Sequence, residues 1–164
     1  MDSVKELDVA SVVQAAVEKH GARRDALIPI LSEVNRAFGY IPEQAMAEIR
    51  RVVHAPEDGL FLADSHLYAI TSFYELLSTQ PVGRHVIRFC ESAPCHVEGG
   101  RPVIMAIQKE LNLNPGETSA DKKWTLLMNS CLGVCGVGPV MLVDDDIYGN
   151  LTPDKIQAIL ARYS

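Results

Sequence analysis

Four cysteines, the only four in the chain, carry the chemistry that this sequence offers. They fall in two pairs: Cys90-Glu-Ser-Ala-Pro-Cys95, spaced C-x4-C, and Cys131-Leu-Gly-Val-Cys135, spaced C-x3-C. Two loops bearing these pairs, brought together, present four sulfurs at one point. Thiolates clustered in this way bind soft metals, either zinc or an iron–sulfur cluster. The alternatives weigh less. A free thiol can serve as a small apolar filler, but two tight pairs flanked by Gly and Pro argue against that use. Thiol–disulfide enzymes favour C-x-x-C, which neither pair has. A structural zinc site with four cysteines is a serious competitor, although its knuckles usually read C-x2-C. The longer C-x4-C loop suits ligands that wrap a larger inorganic core. A two-iron two-sulfur core with four thiolates is a formal dianion when oxidised and a trianion when reduced, so it needs backbone N–H groups aimed at sulfur. Gly133, Gly136 and Gly138 crowd the second pair and Gly99-Gly100 follow the first, which reads as a cradle of close-fitting backbone.

The elements that must position these pairs divide the chain near residue 80. Residues 1–80 read as helical. A first helix runs through Val9–Val17 with Val9, Val12, Val13 and Ala16 on one face, and stops at His20-Gly21. A second spans Asp25 to Phe38 on the stripe Leu27, Ile30, Leu31, Val34 and Phe38, with Pro29 near its first turn and Gly39 as the stop. A third begins at Pro42, turns Met46, Ile49, Val52 and Val53 inward, and ends before Pro56. After a turn around Asp58-Gly59, Asp64 or Ser65 caps a fourth helix that reaches about Tyr74. So small a bundle is expected to pack on a partner or on a second copy of itself. From 81 to 164 the pattern changes to strand, helix, strand, strand, strand, helix. Strands are expected at His85–Phe89, Trp124–Met128 and Val140–Val143, a turn at Asp144-Asp145-Asp146, and a return strand at Ile147-Tyr148. Helices are expected at Pro102–Leu111 and from Pro153, with Thr152 as its cap. The fold class is therefore α/β: a small N-terminal helical bundle followed by an α/β domain with a mixed sheet.

Composition limits the function classes. A chain of 164 residues with 48% apolar content can bury a full core. A net charge of −6 argues against a nucleic-acid partner, since phosphate binding needs a basic face. Met1–Leu7 carries charges where a signal peptide needs an apolar core, and no apolar run approaches the roughly 20 residues that span a bilayer. A cytoplasmic protein without direct membrane insertion is expected, and in that reducing compartment cysteines serve as ligands or redox groups. No G-x-G-x-x-G follows a strand, and no Ser/His/Asp set or carboxylate pair stands at an informative spacing, so no catalytic residues are assigned.

Several stretches together resemble one family. These are Cys90-Glu-Ser-Ala-Pro-Cys95-His96, Cys131-Leu-Gly-Val-Cys135-Gly136, Pro139-Val140-Met141 and Tyr148-Gly149-Asn150-Leu151-Thr152-Pro153. Leu27-Ile28-Pro29-Ile30-Leu31, Phe38-Gly39-Tyr40-Ile41-Pro42 and Ser72-Phe73-Tyr74 add to them. They resemble the thioredoxin-like two-iron two-sulfur ferredoxins. That family includes a small subunit of bacterial NADH:quinone oxidoreductase (respiratory complex I) and the matching subunits of NAD(P)-linked hydrogenases and formate dehydrogenases. The resemblance runs from about residue 25 to 160. It implies a helical domain at 1–80, a thioredoxin-like domain at 81–164, and one [2Fe-2S] cluster on Cys90, Cys95, Cys131 and Cys135. It implies electron transfer beside a flavin-bearing NAD(P)H-binding subunit, with an iron–sulfur-rich catalytic subunit as a further candidate partner. The parent assembly is then a soluble hydrogenase, a formate dehydrogenase, an electron-bifurcating enzyme or the membrane-associated respiratory complex. The two cysteine loops lean toward a soluble NAD(P)-linked complex. The competing reading, from another class, is a redox-inert zinc module that scaffolds an assembly.

Other residues carry weaker signals. His96, beside Cys95, is a candidate ligand of the Rieske kind, but four cysteines leave it a surface or supporting place. Asp144-Asp145-Asp146 reads as a solvated turn before it reads as a cation site. Lys122-Lys123 and Arg23-Arg24 read as solvated faces, and Trp124 as core. Pro139, after Gly138, stands where a thioredoxin-like fold places a cis-proline.

Overall fold

The computed structural model describes residues 8–53 and 62–163. The chain separates into two compact units, Met1–Pro81 and Val82–Ser164.

The first unit contains α1 (Val9–His20), α2 (Leu27–Phe38), α3 (Glu43–Val52) and α4 (Asp64–Phe73). Asp8 caps α1, its Oδ2 accepting the Ser11 N–H at 3.1 Å, and Gly21 ends it as expected. The predicted start at Asp25 falls in a 3-10 turn, Arg24–Ala26, that leads into α2. Gly39, at φ 80°, closes α2 in the left-handed conformation that glycine adopts without a Cβ penalty. The periodic apolar residues meet in one core of Val13, Ala16, Leu27, Ile30, Leu31, Val34, Ile41, Ala45, Met46, Ile49, Val53 and Leu67, among others. Each fully buried Leu or Ile there contributes about 1.5–3 kcal/mol. The expected turn at Asp58-Gly59 and the stop before Pro56 lie outside the described residues. The cap expected at Asp64 or Ser65 is not formed. Ala63 holds the N-cap position without a side-chain bond, because the Asp64 carboxylate accepts from Arg50 Nη1 at 3.1 Å instead.

The second unit is a four-stranded mixed sheet in the order β2-β1-β3-β4, with helices packed on it. Its elements are β1 (His85–Cys90), the single helical turn α5 (Ala93–Cys95), α6 (Arg101–Leu111), β2 (Trp124–Asn129), β3 (Met141–Val143), β4 (Asp146–Tyr148) and α7 (Pro153–Leu160). β1 pairs parallel with β2, Cys90 opposite Asn129, and antiparallel with β3, Phe89 opposite Met141. β3 and β4 form the expected hairpin, although Asp146 is already in the returning strand. Ile87, Phe89, Trp124, Leu126, Met141 and Val143 face a core shared with Val103 and Ile107 of α6 and Ile156, Ile159 and Leu160 of α7. Trp124 is core, as predicted. Thr152 occupies the N-cap position of α7, but its side chain makes no cap bond; Pro153 stands at the first helical position. Among the described residues, no helix is long and apolar enough to cross a membrane.

Candidate metal centre

The first cysteine pair is held by regular structure. Cys90 is the last residue of β1, and its N–H donates to the Val140 carbonyl at 3.2 Å. The backbone then turns at once into α5, where Cys95 closes a helical turn, so this pair frames a strand end and a helix start rather than an open loop. His96–Gly100 continue as one wide π turn with Gly99 at φ 95°. Both sulfur-bearing residues are buried, Cys90 at 2% exposure and Cys95 at 0%. The second pair lies in the connection after β2. Cys131 and Cys135 are exposed, Cys135 opening the short 3-10 turn Cys135–Val137.

The fold brings the two pairs together. Cys90, Cys95 and Val140 form a small buried cluster of their own, and Leu132 and Val134, from between the second pair, pack against it. All four cysteines are free thiols. Burial pushes the Cys95 thiol up to about 11; its hydrogen bond with Cys90 and the charge of Cys90 add to this, while the Val140 N–H works the other way and the charge of Cys135 adds a smaller push. The Cys135 thiol is likewise raised, first by desolvation, then by the charge of and hydrogen bond to Cys131, and by the charge of Cys90. Cys95 and Cys135 thus each feel a member of the other pair. Thiolates that near one another oppose one another, and a cationic metal core would make them stable together. Among the described residues, no group of three or more His, Cys, Asp or Glu side chains is arranged to hold a metal ion.

The backbone around the sulfurs fits the same group. Gly133 holds φ 78°, and its N–H donates to Cys131 Sγ at 3.3 Å. Gly138 lies so close that an added Cβ would sit 3.4 Å from Cys95 Sγ. Gly100 admits no Cβ at all, since one would lie 2.7 Å from the Cys95 carbonyl oxygen. Gly136 is different: an added Cβ meets nothing within 4 Å, so the predicted cradle does not require glycine there. The Gly138–Pro139 peptide is cis, as the sequence suggested.

The weaker candidates find other places. His96 is exposed at the start of the π turn. The Asp144 carboxylate bonds to His85 Nδ1 at 2.7 Å and accepts the Val86 N–H at 2.8 Å. Asp146 accepts the Tyr163 hydroxyl at 2.7 Å. These carboxylates serve the fold. Lys123 lies over the Trp124 ring, 5.7 Å from its centroid, and Arg24 reaches His66 at 3.2 Å. Leu132, Val134 and Asn129 were not singled out from the sequence. Their signal is position alone, since each stands within two residues of a cysteine.

Known proteins are similar to this chain over most of its length. The family model described as thioredoxin-like [2Fe-2S] ferredoxin matches residues 13–164. The E subunit of NADH-quinone oxidoreductase from Escherichia coli (strain K12) is 40% identical over 140 residues, covering 85% of this chain and 80% of that protein. Its counterpart in Salmonella typhimurium is 38% identical over 160 residues, covering 96% and 92%. An NAD+-reducing [NiFe]-hydrogenase, solved in its air-oxidized state, shares the fold with a TM-score of 0.65 and 21% identity; the match covers 81% of this chain but only 22% of the hydrogenase chain. With a family model that spans residues 13–164 and a relative 40% identical over 85% of its length, the chain belongs to the thioredoxin-like [2Fe-2S] ferredoxins.

Proposed function

We propose that this chain is the electron-transfer subunit of a multisubunit oxidoreductase, carrying one [2Fe-2S] cluster on Cys90, Cys95, Cys131 and Cys135 within a ferredoxin domain spanning 81–164. The observation that carries the reading is the packing of Leu132 and Val134 onto the buried Cys90, Cys95 and Val140, because it joins the two cysteine pairs. When bound, such a cluster supplies storage for a single electron. Cys90 and Cys95 hold its inner side and exclude water. Cys131 and Cys135 hold the side nearest solvent, which is where a partner's redox group must approach. The N–H groups of Gly133 and Val140, directed at Cys131 and Cys95, favour the added negative charge.

The partner follows from electron counting. A nicotinamide gives up its electrons as a hydride pair, whereas this cluster accepts them singly, so a flavin that handles both must stand between them. A flavin-bearing NAD(P)H-binding subunit is therefore the proposed neighbour, with an iron–sulfur-rich catalytic subunit beyond it and a second copy of this chain as the partner in isolation. Support comes from relatives named as subunits of NADH-quinone oxidoreductase. They favour that assembly over a soluble complex, with the chain on the cytoplasmic side of the membrane.

The test is anaerobic purification followed by visible absorption, iron and sulfide analysis, and electron paramagnetic resonance. A coloured protein with two irons and two sulfides per chain, paramagnetic after one-electron reduction, is expected. Cys131→Ala abolishes stable cluster assembly; His96→Ala leaves it intact. A colourless protein holding one zinc would sink the reading.

A further inference from the structure

Asn129 stands beside Cys90 in the sheet. The two are register partners across the parallel β1–β2 pair, whose strands lie about 4.8 Å apart. Side chains in register on neighbouring strands project to the same face, and the alternation identifies it. Ile87 and Phe89 of β1, with Trp124 and Leu126 of β2, belong to the core on one side of the sheet. Cys90 and Asn129 therefore project from the other. Both are closed to solvent, Asn129 at 3% exposure. The Glu91 N–H donates to the Asn129 carbonyl at 2.9 Å, which ties the two strand ends together just where Cys90 leaves the sheet.

An apolar residue would suit this strand position by burial alone. A carboxamide is retained in such a place only with hydrogen-bond partners, and it brings two N–H donors. From the neighbouring strand, in register and on the same face, those donors come within reach of the Cys90 sulfur. Hydrogen bonds to cluster sulfurs are among the protein's means of setting reduction potential, because they stabilise the more negative reduced state. We propose that the Asn129 side-chain amide donates to the Cys90 sulfur when the cluster is bound and holds its reduction potential up. Asn129 is thus a positioning residue, not a ligand. The inference rests on the assignment of Cys90 as a ligand made above.

The experiment is a redox titration of the whole chain with its cluster, followed by paramagnetic resonance, for the wild type and Asn129→Leu, a swap of similar size without donors. The variant is expected to load the cluster and to show its midpoint moved to more negative potential. A loaded variant with an unmoved midpoint overturns the proposal. Should the variant fail to load, wild-type protein labelled with 15N in its asparagine side-chain amides decides the matter. Electron spin-echo modulation of the reduced cluster must contain a nitrogen coupling that changes with the label, and modulation blind to the label overturns the proposal. Wild-type protein without a two-iron cluster overturns the ligand assignment itself, a result told apart by its missing colour.

Discussion

Gly100 marks how closely the backbone wraps around Cys95. A methyl group placed there would press on the Cys95 carbonyl carbon, 3.2 Å away, as well as on its oxygen. Both neighbours are backbone, so neither can yield by changing rotamer. Gly100→Ala is expected to cost about 1–3 kcal/mol of stability, as overpacking does, and to move Cys95, which leads into the π turn. Denaturant unfolding of the metal-free protein measures the first effect, and the rate at which a chelator bleaches the cluster measures the second, which should rise. Gly136→Ala, with open space around it, is the control and should change neither. The cysteines themselves stood out by spacing, since two tight pairs flanked by Gly and Pro favour metal chemistry over apolar filling or thiol–disulfide exchange. Asn129 was not. One asparagine at a strand end has no periodic signature, and only the strand register reveals that it stands beside Cys90.

At the scale of elements, α1 and α2 are joined at the surface by Glu33. Its carboxylate takes Lys19 Nζ at 2.7 Å, His20 Nε2 at 3.3 Å and Arg36 Nη1 at 3.5 Å. The Lys19 hydrogen bond first, then that of His20, hold its pKa below the ordinary 4.5, against a smaller upward push from desolvation. A carboxylate with a lowered pKa stabilises the fold above its unfolded value, and the contribution disappears as pH falls through the lowered one. Glu33→Gln is therefore expected to melt below the wild type at neutral pH, with the gap closing as acidification carries the pH below the ordinary carboxylate range. Thermal unfolding followed by circular dichroism across that range checks it, and a gap that widens in acid refutes it. The helices themselves were readable, because Val13, Leu27, Ile30, Leu31 and Val34 recur at the helical period and all are buried. Caps were less so. Asp64 and Thr152 have side chains suited to capping, yet Arg50 takes the first, and Thr152 bonds to Asp154 in a way that lowers that carboxyl's pKa. Competing partners of this kind are tertiary and leave no local trace. The π turn at 96–100 was missed for a related reason, since its helical register is broken at Gly99, which holds φ 95°.

For the molecule as a whole, the core of the first unit and that of the second share no residue among those described. The single tryptophan, Trp124, lies in the second, so its fluorescence reports that unit. Ligands that bind only the folded state add stability in proportion to the logarithm of their excess over the dissociation constant. Removing iron with a chelator should accordingly lower the temperature at which Trp124 fluorescence changes, and reconstitution with iron and sulfide should restore it. An unchanged transition would mean that the metal contributes nothing to the fold. The sulfurs also differ in reach, for Cys131 and Cys135 are open to water whereas Cys90 and Cys95 are shut away from it. Incoming iron during maturation and a molecule of peroxide during stress must both arrive by the same side. Maturation and oxidative injury are therefore expected to begin at the Cys131 and Cys135 sulfurs, with the buried Cys90 and Cys95 the last to let go.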